Sequence, residues 1–192
     1  ARKVAKFCKA DYNEKLLDID DIVDFLPLMI HLQDEPIADP VCVPVYYVSK
    51  LASEKVKVIL AGSGGDELFG GYPWRYYSAF KNITESNYID DYYSYWQRLL
   101  KEDELKDLFN PIWNKVCHID TKEIFKTTLN IDCGTISNKN LNKIDLINNS
   151  LYLEAKTFLH GILVVEDKLS MANSLEIRLP FLENNLVDFA MK

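Results

Sequence analysis

Histidine, cysteine and glycine are all scarce in this chain of 192 residues, with counts of 3, 4 and 7. The cysteines Cys8, Cys42, Cys117 and Cys133 include no C-x-x-C pair, so zinc finds no ligand spacing. Free, mostly buried thiols in a reducing compartment are expected instead. Basic charge is short as well: a net charge of −7 argues against a phosphate-backbone partner, and no nucleic acid is expected. No apolar run approaches the ~18 residues of a membrane span, and the basic start ARKVAKFCKADYNEK lacks the apolar core of a signal peptide. A cytoplasmic protein without a membrane partner is the expectation. The chain opens without methionine, and its last residues, LVDFAMK, fall inside an apolar helical pattern, so both ends are expected to be cuts in something longer.

What is present reads as an ordinary globular chain, 48% hydrophobic and 27% charged, long enough for one domain with a real core and too short for three. Apolar residues recur at helical spacing over 3–8 and 20–32, with Asp20 and Asp21 suited to a helix start. Pro36, Pro40 and Pro44 then mark a turn-rich loop, after which VYYVSKLASEK resumes a helix. VKVIL at 56–60 is a short β-branched run suited to a buried parallel strand. The order helix, strand, glycine loop, helix predicts an α/β fold. Residues 85–145 are expected to be helices joined by a flexible loop. A helix running to about Leu163 follows, Pro180 ends the next segment, and Asn184 or Asn185 starts a further helix.

Five of the seven glycines lie in AGSGGDELFGG, residues 61–71, directly after the predicted strand. Glycines there let backbone N–H groups approach an anion without Cβ in the way, and past the carboxyl end of a strand is where α/β sheets hold ligands. A nucleotide is the natural guest. The stretch is neither a Walker loop nor G-x-G-x-x-G. A trypsin-like serine nucleophile is disfavoured, because Gly62 stands where an aspartate should precede Ser63. Asp66 has two readings of equal weight from its position: one carboxylate anchoring magnesium beside phosphates, or a cap of the next helix.

AGSGGDELFGGYPWRY resembles the S-G-[DE]-G-[AGS]-D-E-L-F-G-G-Y segment of the asparagine synthase family, whose synthetase domain belongs to the PP-loop ATP pyrophosphatases. EDKLSMANSLEIRLPFLENNLVDFA is similar to that family's D-[RK]-x-S-M-A-x-S-x-E-x-R-x-P-F-L-D signature, and DEPIADPVCVPVYYVSKLA resembles its D-E-P-x-A-D-P loop and helix. The resemblance implies a parallel PP-loop-type sheet with flanking helices and a helical C-terminal portion, over 1–192. It also implies a reaction in which ATP activates the side-chain carboxylate of aspartate as an acyl-adenylate, which ammonia then attacks. That ammonia comes from glutamine, hydrolysed by a glutaminase domain of the same parent chain. A homodimer is allowed.

On the same resemblance, Ala61 and Gly62 occupy the place whose backbone contacts ATP, and Asp66 matches the magnesium-binding aspartate, which tips its balance toward function. Glu67, Gly70, Gly71 and Tyr72 complete the motif, with Glu67 equally readable as a buried structural acid and the glycine pair as a helix terminator. Asp167, Met171, Glu176 and Arg178 match the second signature, where an acid and an arginine two residues apart read most simply as an ion pair holding a loop. Asp34, Glu35 and Asp39 either line an amino-acid site or cap a solvated loop.

Four departures set this chain apart from the family. The pyrophosphate-cradling S-G-G-x-D-S loop, the glutaminase domain and a later lysine are absent, so the chain is expected to be a fragment of the synthetase domain, inactive alone. Ser63 stands where the family carries Glu or Asp, the acid thought to accept the proton shed by the attacking amine. A serine cannot do this without a base, and the sequence identifies none. An enzyme acting on another carboxylate, or a non-catalytic nucleotide-binding module, are the competing expectations.

Overall fold

The computed structural model describes residues 1–34, 37, 39–76, 85–97, 100–129 and 143–190. Its elements, in chain order, are α1 (Arg2–Phe7), α2 (Ile19–Gln33), α3 (Cys42–Ser53), β1 (Val58–Leu60), α4 (Gly65–Phe69), α5 (Pro73–Tyr76), α6 (Glu85–Trp96), α7 (Glu102–Leu108), α8 (Trp113–Val116), α9 (Thr121–Thr128), α10 (Lys143–Lys156), α11 (Phe158–Met171), β2 (Glu176–Arg178) and α12 (Asn184–Ala190). This is a helix-rich α/β chain. Its backbone divides into two compact units, one formed by Ala1–Ser63 with Gly161–Glu183, the other by Gly64–His160 with Asn184–Lys192. Among the described residues no helix is long and apolar enough to cross a membrane.

In the first unit, α2 starts on a reciprocal cap: Asp18 accepts from the Asp21 N–H at 2.9 Å, and Asp21 accepts from the Asp18 N–H at 3.3 Å. Phe25, Met29 and Gln33, four apart, form its buried face. Phe25 and Met29 pack against Cys42 and Val43 of α3 and Val165 and Leu169 of α11. Tyr46 stacks on Phe25 with ring centroids 4.3 Å apart. Burying one such large apolar side chain contributes roughly 1.5–3 kcal/mol, so this cluster holds three helices on one another.

Those strands pair in parallel, Val58 with Glu176, Ile59 with Ile177 and Leu60 with Arg178. Backbone bonds extend the ladder at both ends, from Glu176 N–H to Lys57 O and from Ala61 N–H to Arg178 O. The sequence reading of a strand at 56–60 is met in its last three residues. β2 was not foreseen, and the ion pair expected to hold a loop there lies on a strand instead. Glu176 and Arg178 are alternate residues on one exposed face, with Arg178 Nε donating to Glu176 Oε1 at 2.8 Å. The expected burial of this strand is not met among the described residues: Val58 and Leu60 are exposed, because the sheet described has only two strands.

The second unit is built on tyrosines. Tyr88, Ile89 and Tyr92 of α6 meet Leu146 and Leu153 of α10 and Leu129. The expected single helix to Leu163 is two helices, broken at Thr157, and the second runs on through the EDKLSM signature to Met171. Gly70, with φ 67, ends α4 as the glycine-terminator reading anticipated. The flexible-loop reading falls on DCGTISNKNLNK, 132–143, of which 132–142 lie outside the described residues. The cysteine expectation needs correction: Cys42 is buried, but Cys8 and Cys117 are exposed, because α1 and α8 have no buried residues to place their thiols against. Cys133 lies outside the described residues.

The buried phenols make this unit sensitive to base. Burial raises the Tyr88 hydroxyl to about 12, and burial followed by the Glu154 carboxylate raises Tyr76 and Tyr92 well above the ordinary phenol. Unfolded tyrosines release their protons near pH ~10 while these folded ones keep theirs, so stability present below pH ~10 is lost as pH rises from there toward the folded values. Each contributes a slope of about 1.4 kcal/mol per pH unit. A base titration is expected to lose helical circular dichroism in step with the appearance of these phenolates. Phenolate absorbance at the ordinary pH with helix intact would contradict this.

Candidate functional site

Of the predicted residues on the loop after β1, Ala61, Gly62 and Ser63 belong to the first unit, and Asp66 and Glu67 to the second. On the first side, the Ala61 N–H is spent on the strand ladder, donating to Arg178 O at 3.0 Å. Ala61 therefore has only its carbonyl to offer a ligand. Gly62 is exposed, and a Cβ built on it would meet nothing within 4 Å. Nothing in the fold requires glycine there, and a side chain would fill only open space. The N–H groups of Gly62 and Ser63 have no hydrogen-bond partner among the described residues. The loop thus presents bare backbone donors.

Ser63 is half-buried, and its Oγ donates to Oε1 of Glu166 on α11. The other carboxylate oxygen of Glu166 is sealed from solvent, with no hydrogen-bond partner among the described residues. Sequence reasoning missed this residue altogether. Its one signal was an extra acid directly ahead of the Asp167 signature position, and a pairing across 103 residues leaves no local pattern.

On the second side of the loop, the two acids of DEL separate cleanly. Glu67 is 3% exposed, and its carboxylate accepts from the Gly64 N–H at 3.1 Å and the Tyr72 hydroxyl at 2.7 Å. Burial, with the Glu67 bond next, holds Tyr72 protonated well above the ordinary phenol range. Glu67 is a structural acid that ties the loop to the turn after α4, allowed by the positive φ of 91 at Gly64. Asp66 is exposed, and its carboxylate makes no hydrogen bond or ion pair among the described residues. It does not cap α4. Gly71 makes room for it, since a Cβ there would run into the Asp66 carboxylate and come within 2.8 Å of Asp66 Cα.

Of the other predicted residues, Asp34 and Asp39 make local structural contacts. Asp34 ends α2 in the left-handed region, φ 64, and its carboxylate meets Lys168 Nζ at 2.8 Å. Lys168 also donates to Gln33 O at 2.7 Å. Its hydrogen bond, and then its charge, hold Asp34 below the usual carboxylate range. The Asp39 carboxylate accepts from the Val41 N–H at 2.9 Å, which supports the cap reading. Glu35 lies outside the described residues. Asp167 and Met171 are exposed on α11. Among the described residues no group of three or more His, Cys, Asp or Glu side chains could hold a metal by itself.

Comparison with known proteins adds the lineage. The family model described as "Asparagine synthase" matches residues 1–192. The chain is 28% identical to "Asparagine synthetase [glutamine-hydrolyzing] 1" of Bacillus subtilis (strain 168), over all of this chain and 33% of that protein. It is 31% identical to a "Putative asparagine synthetase [glutamine-hydrolyzing]" of Mycobacterium tuberculosis (strain ATCC 25618 / H37Rv), over 88% of this chain and 29% of that one. A shorter match, 37% identical over 38% of this chain and 14% of the other, is to "Probable asparagine synthetase [glutamine-hydrolyzing]" of Schizosaccharomyces pombe (strain 972 / ATCC 24843). The chain spans about a third of the length of the first of these relatives. No solved structure gives a significant match.

Proposed function

This chain belongs to the asparagine synthase family, and on that premise we propose that it is part of the synthetase domain of a glutamine-dependent asparagine synthetase. The reaction is ATP-dependent amidation of aspartate in the cytoplasm. The side-chain carboxylate of aspartate attacks the α-phosphorus of ATP, pyrophosphate leaves, and a β-aspartyl-adenylate forms. Ammonia, released from glutamine by the glutaminase domain of the same parent chain, attacks the acyl carbon, and AMP departs.

The observation that carries this reading is the bare backbone after β1. Gly62 is open where a Cβ would stand, and the Gly62 and Ser63 N–H groups are unpaired among the described residues. Such donors suit phosphate oxygens. The Ala61 carbonyl, left over from the strand ladder, suits an adenine or ribose donor. The donor set also fits magnesium, which takes one or two protein carboxylates and fills its other positions with water and substrate phosphates. Asp66, exposed and unpaired among the described residues, supplies one carboxylate of that kind. Magnesium bound there would neutralise charge on the departing pyrophosphate.

A PP-loop-type sheet wider than the two strands described here accords with exposed Val58 and Leu60, since parallel strands are ordinarily covered on both faces. The pyrophosphate-cradling loop belongs to the rest of that sheet. Exchange of labelled pyrophosphate into ATP, measured on the full-length protein with a panel of carboxylic acids, tests the reading. Exchange that depends on aspartate is expected. Exchange with a different acid alone would make the chain part of a relative acting on another carboxylate.

A further inference from the structure

Ser63 occupies a motif position where a proton acceptor is needed, and a hydroxyl is too weak a base to serve at neutral pH. The structure sets a carboxylate against it. Glu166 reaches from α11 to accept the Ser63 hydroxyl proton at Oε1, while its Oε2 is sealed from solvent with no partner among the described residues. Leaving a buried carboxylate oxygen unpaired costs about 1–3 kcal/mol or more, and a native structure that keeps such a group invites a chemical reason.

We propose that Glu166 is the proton acceptor of the amide-forming step, working through the Ser63 hydroxyl. This rests on the reading of the chain as part of an asparagine synthetase. As the nitrogen lone pair forms the new bond to the acyl carbon, the bond from that carbon to the phosphate oxygen breaks, and its electron pair leaves with AMP. The proton shed by the nitrogen passes to Ser63 Oγ while the Ser63 hydroxyl proton passes to Glu166 Oε1. Serine is unchanged, Glu166 ends protonated, and solvent recovers the proton afterwards. The acid missing from the loop is in this way supplied from the facing helix. A glutamate placed at 63 would meet the Glu166 carboxylate as a like charge, so Ser63→Glu by itself is not the simple repair that the sequence suggests.

Glu166→Gln separates base from latch, because its amide oxygen can still accept from Ser63 but cannot take a proton at neutral pH. The test uses the full-length enzyme with ammonium as nitrogen source, so that glutamine hydrolysis is bypassed, and reads two activities: aspartate-dependent pyrophosphate exchange and amide formation. Glu166→Gln is expected to keep exchange and the KM for aspartate, and to lower kcat for amide formation by about 10²–10⁴-fold, the usual worth of a general base. Glu166→Asp should retain part of the rate, and Ser63→Glu added to Glu166→Gln should restore much of it by returning the acid to the loop. Unchanged amide formation in Glu166→Gln would overturn the proposal. So would an equal loss of both activities that Ser63→Glu does not relieve. Absence of aspartate-dependent exchange in the unaltered enzyme would instead refute the asparagine synthetase reading beneath it.

Discussion

Glu154→Ala is expected to destabilise the second unit by about 3–5 kcal/mol, a large part of the ~5–15 kcal/mol that holds a typical domain together. Glu154 is fully buried, and its carboxylate collects Arg75 Nη1 at 3.0 Å, the Tyr76 hydroxyl at 3.3 Å and the Tyr92 hydroxyl at 2.8 Å. The Arg75 guanidinium lies over the rings of Tyr72 and Phe158, at 3.8 and 4.3 Å, with Trp96 at 5.1 Å. Removing the carboxylate would leave that charge and two phenols buried without an acceptor. Desolvation already opposes ionisation here, raising Glu154 above the usual carboxylate range. The pair therefore acts as a determinant of one arrangement more than as a source of net stability. Replacing both members, Arg75→Met with Glu154→Leu, is accordingly expected to cost less than Glu154→Ala alone. Denaturant unfolding followed by helical circular dichroism measures both. A single variant as stable as the parent would refute the account of this core.

Asp66→Asn is expected to slow adenylation by about 10²–10³-fold, equivalent to ~3–4 kcal/mol of lost charge stabilisation, with no measurable change in stability. Asp66 and the next residue differ in what they hold. Asp66 is exposed and unpaired among the described residues, so the fold asks nothing of its charge. Glu67 is buried and holds both the Gly64 N–H and the Tyr72 hydroxyl. Glu67→Ala should therefore lower the unfolding midpoint first and activity as a result. Measuring exchange and unfolding on both variants separates the roles. Loss of stability in Asp66→Asn, or full exchange activity, would count against magnesium binding at this residue.

The sequence made the helices with strong periodicity legible. Of the apolar α2 pattern at 20–32, Phe25 and Met29 are buried, even with Pro27 inside the helix, while Ile22, Val23, Leu26, Leu28 and Ile30 stay exposed. The strand before the glycine loop was equally readable from its β-branched run. β2 was hidden because three residues with exposed Glu176 and Arg178 carry no distinctive alternation, and they become a strand only by pairing with β1 far back in the chain. The same non-locality concealed Glu166. The helix expected to end near Leu163 runs on to Met171, because Val165 and Leu169 continue the helical spacing. Within the glycine loop, residue identities suggest the nucleotide and leave Glu67 open, while its burial and its bonds to the Gly64 N–H and the Tyr72 hydroxyl make it structural.

The central claim is that the loop after β1 serves adenylation of aspartate. The most direct measurement is incorporation of labelled pyrophosphate into ATP by the full-length protein, with magnesium present and no nitrogen source, with and without aspartate. The account predicts exchange that appears only when aspartate is added and falls with Asp66→Asn. Exchange absent with aspartate, or indifferent to it, would contradict the account.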